Sequence, residues 1–226
     1  MRYSNVRTGT FLERPNRFVA YVDIDGKTEK CHVKNTGRCK EILVPGAVLV
    51  LEGPFAERGT RYDVVAAYKD DVLVNIDSQM PNRVAFESVD EILGPVDSVR
   101  REFSYGNSRI DLFATKGGRN ILMEVKGVTL ERDGVAMFPD APTERGLKHV
   151  RELMSSIDDG FEPYVLFLIQ MSGAICFAPN YETHCEFGKA LEKASDAGVR
   201  IIAYDCDVSE DSMTLGRPVD VRLGHS

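Results

Sequence analysis

No apolar run in this 226-residue chain approaches the ~18 residues that a membrane-spanning helix needs. Its opening stretch, MRYSNVRTGTFLERP, has no apolar h-region of a secretion signal. The expectation is a cytoplasmic protein without membrane partners. The five cysteines, Cys31, Cys39, Cys176, Cys185 and Cys206, are odd in number and form no CxxC pair. That excludes a complete disulfide framework and fits reduced, structural thiols. Zinc held by Cys31, His32 and Cys39, or by His184 and Cys185, is a minor reading of the same residues. No internal repeat or low-complexity segment is present, which excludes solenoids and long disordered linkers. Positive charge is also short, 28 Lys and Arg against 35 Asp and Glu for a net −7. Taken whole, that balance argues against a polyanionic partner.

The charge is not evenly spread. Residues 1–62 carry 11 Lys and Arg against 7 Asp and Glu, a net +4, while the other 164 residues carry 17 against 28, a net −11. A basic leading segment can track a phosphate backbone, whereas the acidic remainder needs cations before it can tolerate a phosphodiester. Sequence texture changes at a similar point. From Arg17 to about Asp77, short alternating runs (RFVAYVDID, KCHVKN, AVLVLEG, RYDVVAAY, DVLVNID) predict five strands of a compact β-barrel or meander. Beyond SQMPN the pattern turns helical. VAFESVDEIL, between Asn82 and Gly94-Pro95, predicts a helix, followed by a strand near Val96–Phe103, a hairpin, and a loop over Glu131–Pro142. TERGLKHVRELMSSI predicts a helix with Thr143 as N-cap, and EPYVLFLIQ a strand buried on both faces. AICFA as a strand, a helix over about Tyr181–Ala197 and VRIIAYD as a strand complete an α/β core with at least one parallel crossover.

The hairpin carries the chemistry. With Gly117 and Gly118 as the central residues of a type I′ turn, paired positions set Asp111 opposite Glu124, with Lys126 two residues on along the same face. Ile110, Leu112, Met123 and Val125 fall on the other face, as a half-buried hairpin requires. Two carboxylates about 5 Å apart at Cβ make a seat for a hard divalent cation, Mg2+ or Mn2+. A lysine beside that cation can orient a water or a phosphate. The default for such a pattern is three solvated residues on an open sheet face. Phe113 and Leu122 share this face, so the charges are partly withdrawn from water and need a partner or a task.

The helix after the hairpin sets Arg145, Lys148, His149 and Glu152 along one polar stripe. A βα crossover brings that stripe beside the strand of Glu124 and Lys126, where it could grip a phosphate backbone. Asp140, just before the helix, and Glu102, near the end of the preceding strand, are further candidate metal-ligating carboxylates.

YGNSRIDLF, MEVKGVTL and FPDAPTERGLKHVREL, with HVKNTGRCKEILVPG nearer the front, closely resemble the sugar fermentation stimulation protein A family over essentially the whole chain. The resemblance implies an OB-like nucleic-acid-binding domain over residues 1–80 and a PD-(D/E)xK nuclease-like α/β catalytic domain over residues 81–226. It implies DNA binding and nuclease activity, with Asp111, Glu124 and Lys126 matching the core acidic, acidic and lysine positions and Glu102 the upstream glutamate. The chain departs from the superfamily motif in reading Arg109-Ile110-Asp111 where proline precedes the aspartate. Only the carboxylate coordinates, so the metal seat is unaffected. OB-like domains bind single strands through basic grooves and stacking aromatics. Arg14, Arg17, Arg38 and Lys40 are the candidate phosphate contacts here, and Phe18, Tyr21 and Tyr62 the available aromatics, with Phe18 and Tyr21 read first as barrel core.

Two functions from different classes remain. One is a divalent-metal-dependent nuclease, with DNA rather than RNA the expected substrate and a homodimer a further expectation if it cuts duplexes. The other is a DNA-binding regulator of sugar metabolism genes that keeps the fold without cleaving. A carboxylate-pair glycosidase fits less well, since a lysine two residues from Glu124 suits phosphate better than an oxocarbenium ion.

Overall fold

A computed structural model describes residues 2–35, 37–56 and 59–224. Six strands form the first sheet: β1 (Val6–Asn16), β2 (Val19–Ile24), β3 (Lys27–Val33), β4 (Val48–Glu52), β5 (Tyr62–Lys69) and β6 (Val72–Asn75). Their order is β3-β2-β1-β4-β5-β6, and a parallel pairing of β3 with β5 closes β1–β5 into a five-stranded barrel. Ala20, Val22, Cys31, Leu49, Leu51 and Val64 fill it. The barrel is OB-like, as expected, but β1 is an addition and β6 lies outside the closed ring. β1 was hidden because only Phe11 along it is buried and its pairing with β2 shifts register twice, so no regular alternation is written into VRTGTFLERPN.

The chain then enters α1 (Met80–Glu87) and α2 (Val89–Leu93). The single helix expected from Val84 onward is therefore two. It starts earlier because Pro81 suits a first helical turn, and it breaks at the non-helical Ser88.

The second sheet holds β7 (Ser98–Tyr105), β8 (Ser108–Lys116), β9 (Arg119–Val128), β10 (Leu130–Arg132), β11 (Val135–Phe138), β12 (Phe161–Ile169), β13 (Cys176–Pro179), β14 (Arg200–Ser209) and β15 (Ser212–Val221). Its order is β10-β11-β13-β15-β14-β12-β9-β8-β7. The expected loop at Glu131–Pro142 contains the β10–β11 hairpin, turning on Asp133-Gly134 with φ +52° and +81°. β15, rich in polar residues and carrying Pro218, was not anticipated. The crossover from β9 to the parallel β12 is α3 (Glu144–Ser156), whose N-cap Thr143 accepts from Gly146 N at 3.0 Å. α4 (Tyr181–Ala197) follows β13.

α3 and α4 cover one face of this sheet through Leu147, Val150, Leu153, Phe187 and Leu191, packed with Val165, Phe167 and Ile169. α1 covers the other through Met80, Val84 and Ala85, packed with Met123, Val125, Leu166 and Leu168. β12 is thus buried on both sides, as its uninterrupted apolar run predicts. The β8–β9 hairpin is also covered on both faces rather than half-buried.

The barrel packs against the ends of β9 and β12 through a polar seam. Gln170, buried at 2% exposure, donates from Nε2 to Asn75 O (3.0 Å), Asn75 Oδ1 (3.1 Å) and Asp77 O (3.2 Å). Gly127 lies under this seam, where a Cβ would stand 2.4 Å from Gln170 Oε1 and 2.7 Å from Pro81 Cγ. Neither neighbour can yield without breaking the seam or shifting α1. Gly127→Ala should therefore cost roughly 1–3 kcal/mol, read as a fall of several degrees in the thermal midpoint. An unshifted midpoint would mean the seam is softer than its hydrogen bonds indicate.

Candidate active site

The hairpin turn is built on Gly117 (φ +54°) and Gly118 (φ +78°), both in the left-handed region that a type I′ turn demands. Pairing runs from Lys116↔Arg119 to Leu112↔Met123, the expected register, and one step further brings Asp111 beside Glu124. Regular alternation breaks at that step. Glu102, opposite Asp111 between the pairs Arg101↔Leu112 and Phe103↔Ile110, adopts φ +58°. Ile110, expected beside Leu112, instead joins the apolar cluster completed by α3 and α4.

Asp111 is held at both oxygens. Oδ2 accepts from Val125 N at 2.8 Å and Oδ1 from Asn82 Nδ2 of α1 at 2.7 Å. Burial, then the charge of Glu124, pushes the Asp111 carboxyl up to about 6, against the pull of Lys126 and both hydrogen bonds. Glu124 is 2% exposed. Its Oε1 accepts from Lys126 Nζ at 2.6 Å and from His149 Nδ1. Burial alone would raise this carboxyl, but His149 and Lys126 together hold it below the ordinary glutamate value. The other oxygen, Oε2, is buried with no hydrogen-bond partner.

His149 was expected on a solvated cationic stripe and is instead 4% exposed against Glu124. Arg145 Nε approaches His149 Nε2 at 3.5 Å, so the imidazole donates from Nδ1 and can accept at Nε2. The i, i+4 pair expected to grip phosphate thus braces a carboxylate. Lys148 Nζ donates to Asn107 O at 2.8 Å and lies 3.7 Å from Glu152.

The other candidate carboxylates stand apart. Glu102 is solvent-facing and 3.5 Å from Arg109. Asp140 Oδ2 accepts from Arg38 N at 3.0 Å, tying the second half of the chain to a barrel loop. Among the described residues no three His, Cys, Asp or Glu side chains gather as a metal cluster, the two zinc combinations included. A buried carboxylate with one orphaned oxygen beside a half-buried one nonetheless fits a hard cation, because Mg2+ is commonly held by one or two carboxylates, with water and substrate completing the shell.

At the barrel, Arg14 is half-buried in the wall of a cleft, with both terminal nitrogens turned to backbone carbonyls. Its guanidinium donates to the carbonyls of Arg17, Asn35, Gly37 and Arg38 at 2.7–3.0 Å and secures that loop. Arg17, Arg38 and Lys40 are exposed around a cleft of about 610 Å3 that also takes in Leu12 and Val44. Phe18, read as core, is 55% exposed, Tyr21 is half-buried and Tyr62 is buried. Sequence reasoning missed Asn82, taken only as a helix boundary, and the bracing role of His149. The i, i+4 spacing of Arg145 and His149 was the available signal for the latter.

An OB-like barrel joined to an α/β domain whose carboxylate pair sits on a hairpin defines the class. Residues 12–76 match the SfsA N-terminal OB domain and residues 79–212 the sugar fermentation stimulation protein RE domain. The chain belongs to the sugar fermentation stimulation protein family. It is 51% identical over 225 residues to a sugar fermentation stimulation protein homolog of Desulfitobacterium hafniense (strain Y51), covering 99% of each chain. It is 48% identical over 226 residues to a homolog of Clostridium beijerinckii, covering 99% of this chain and 100% of the other. Among solved structures it is similar to Pyrococcus furiosus SfsA in complex with Ca2+, with a TM-score of 0.87 at 28% identity over 98% of each chain. No helix among the described residues is long and apolar enough to cross a membrane.

Proposed function

We propose that this protein is a divalent-metal-dependent nuclease acting on DNA, with Asp111 and Glu124 holding Mg2+ or Mn2+. The observation that carries the reading is Glu124 Oε2, a buried carboxylate oxygen without a partner beside a second carboxylate whose proton affinity is raised. A structural relative bound to Ca2+ supports a divalent site. Bound there, the cation would supply Lewis-acid polarisation of the scissile phosphoryl oxygen. The residues around it have separable tasks. Val125 N and Asn82 fix the Asp111 oxygens, while His149, backed by Arg145, fixes Glu124. Lys126, anchored on Glu124 Oε1, presents an ammonium that orients the attacking water or the phosphate. Five free cysteines fit a cytoplasmic setting.

The deciding experiment incubates labelled single- and double-stranded DNA with the protein in Mg2+, in Mn2+ and in chelator. Fragments are expected with either cation and none with chelator. Binding that persists without cleavage under every condition would leave the regulator as the function.

Backbone tracking falls to the first domain in this reading. Arg17→Ala and Arg38→Ala should each weaken DNA binding and lower the slope of log affinity against log salt by about one unit. Turnover at saturating DNA should change little. Unchanged slopes in both variants would take the barrel out of the phosphate-binding face.

A further inference from the structure

Next to the carboxylate pair, reached through His149, lies a second cleft of about 420 Å3. Its walls are the β7–β8 turn and the start of β8, through Asn107, Ser108 and Arg109, and the first two turns of α3, through Arg145, Lys148 and His149. Neither the metal seat nor the barrel groove uses it. Three cationic side chains, Arg109, Arg145 and Lys148, border the cleft. Arg109 is 3.5 Å from Glu102 with both side chains largely exposed, and Lys148 is 3.7 Å from Glu152. The Arg109–Glu102 pair, exposed on both sides, contributes little and yields readily to a better anion, whereas Glu152 is mostly buried, with Oε2 unpartnered, and stays beside Lys148. Glu144, the remaining acid at the rim, is 83% exposed and faces His184. Ser108 Oγ, in the same wall, is buried and has no hydrogen-bond partner.

Lys148 Nζ donates to Asn107 O at 2.8 Å, Asn107 N donates to Glu152 Oε1 at 3.3 Å, and Tyr105 OH donates to Asp159. These bonds lash the turn to α3. A terminal phosphate lying beyond the carboxylate pair would meet this tied turn, with Arg109 on one side and Arg145 and Lys148 of α3 on the other.

We propose that this cleft seats the terminal phosphate monoester of a nucleic-acid strand, so that the protein engages strand ends. The inference rests on the nucleic-acid reading of the adjacent site. A monoester carries about −1.5 to −2 charges near neutral pH, against one for an internal diester. Its extra oxygens match a site offering two guanidinium groups, an ammonium and a free hydroxyl. A terminal hydroxyl would leave those donors unanswered.

The test measures binding of short single-stranded oligonucleotides bearing a 5′ phosphate, a 3′ phosphate or hydroxyls at both ends, in Ca2+ and again in chelator, with cleavage in Mg2+ and Mn2+ followed separately. One phosphorylated end should bind about tenfold tighter than the hydroxyl form, the scale of one or two charge-assisted hydrogen bonds. The arm that gains identifies which end is read. Ser108→Ala combined with Arg109→Ala should remove most of that preference, and inorganic phosphate should compete more strongly against the phosphorylated strand. Equal affinities for all three oligonucleotides, or an undiminished preference in the double variant, would overturn the proposal. Cleavage with equal affinities would reject this cleft and keep the nuclease. End preference without cleavage would keep the cleft and reject the nuclease. Loss of all binding would reject both.

Discussion

Glu124→Gln should lower the rate of metal-dependent DNA cleavage by about two orders of magnitude or more while DNA affinity stays near that of the parent protein. Glutamine keeps a carbonyl oxygen able to accept from Lys126 and His149, so the two contacts now made by Oε1 have a successor. What disappears is the negative charge and the unpartnered Oε2, the two features that would draw a cation into the site. The loss should therefore fall on turnover, because the front arginines that would track the backbone belong to the other domain. His149→Ala tests the neighbouring claim that the imidazole acts through Glu124. It should reduce turnover less than Glu124→Gln and should raise the cation concentration needed for half-maximal rate, since a loosened carboxylate binds metal less well. Metal titration by calorimetry supplies the second readout. A Glu124→Gln protein cleaving at the parental rate would remove this carboxylate from the mechanism.

The hairpin was legible because its signals are local. Two glycines fix the turn, the turn fixes the register, and the register carries Asp111 toward Glu124. β12 and α3 were equally readable, one from an unbroken apolar run and the other from a 3.6-residue period with a threonine cap. What escaped depends on partners distant in sequence. β1 has a single buried side chain and gains its place only by pairing with β2 and β4. His149 reads as one more residue of a charged stripe until the crossover drops it onto Glu124, 25 positions earlier. Asn82 meets Asp111 across 29 positions, from a helix that starts before its apparent signal. Arg14 shows a structural use that its basic segment does not announce, since its two terminal nitrogens donate to four carbonyls. Phe18 looked like core because it directly precedes a barrel strand, and it is left in solvent instead.

Asp111→Asn should make the metal-free protein more stable at about pH 8, even as it disables the site. The folded-state carboxyl titrates at about 6 against an ordinary value of 3.8, because it is buried beside another charge. A group raised in this way adds stability that is full below the unfolded value and is lost as the pH climbs through the folded one. Above that window the native state carries a penalty of roughly 3 kcal/mol for keeping Asp111 ionised. Asparagine lacks the penalty and can still accept from Val125 N with its oxygen turned to that donor, while its NH2 then faces Asn82, whose own amide must flip to accept from it. In chelator, the variant and the parent should therefore have similar thermal midpoints near pH 4, and the variant should melt several degrees higher near pH 8. Adding Mn2+ or Ca2+ should reverse the order, because ligand binding stabilises the parent in proportion to its affinity and the variant gains little. Protons and cations would then compete for one carboxylate, so the metal-induced rise in the parent should itself shrink as the pH falls below about 6. A variant that melts no higher than the parent in chelator at the higher pH would mean that Asp111 carries no such penalty. Equal gains from metal in the two proteins would remove Asp111 from the seat.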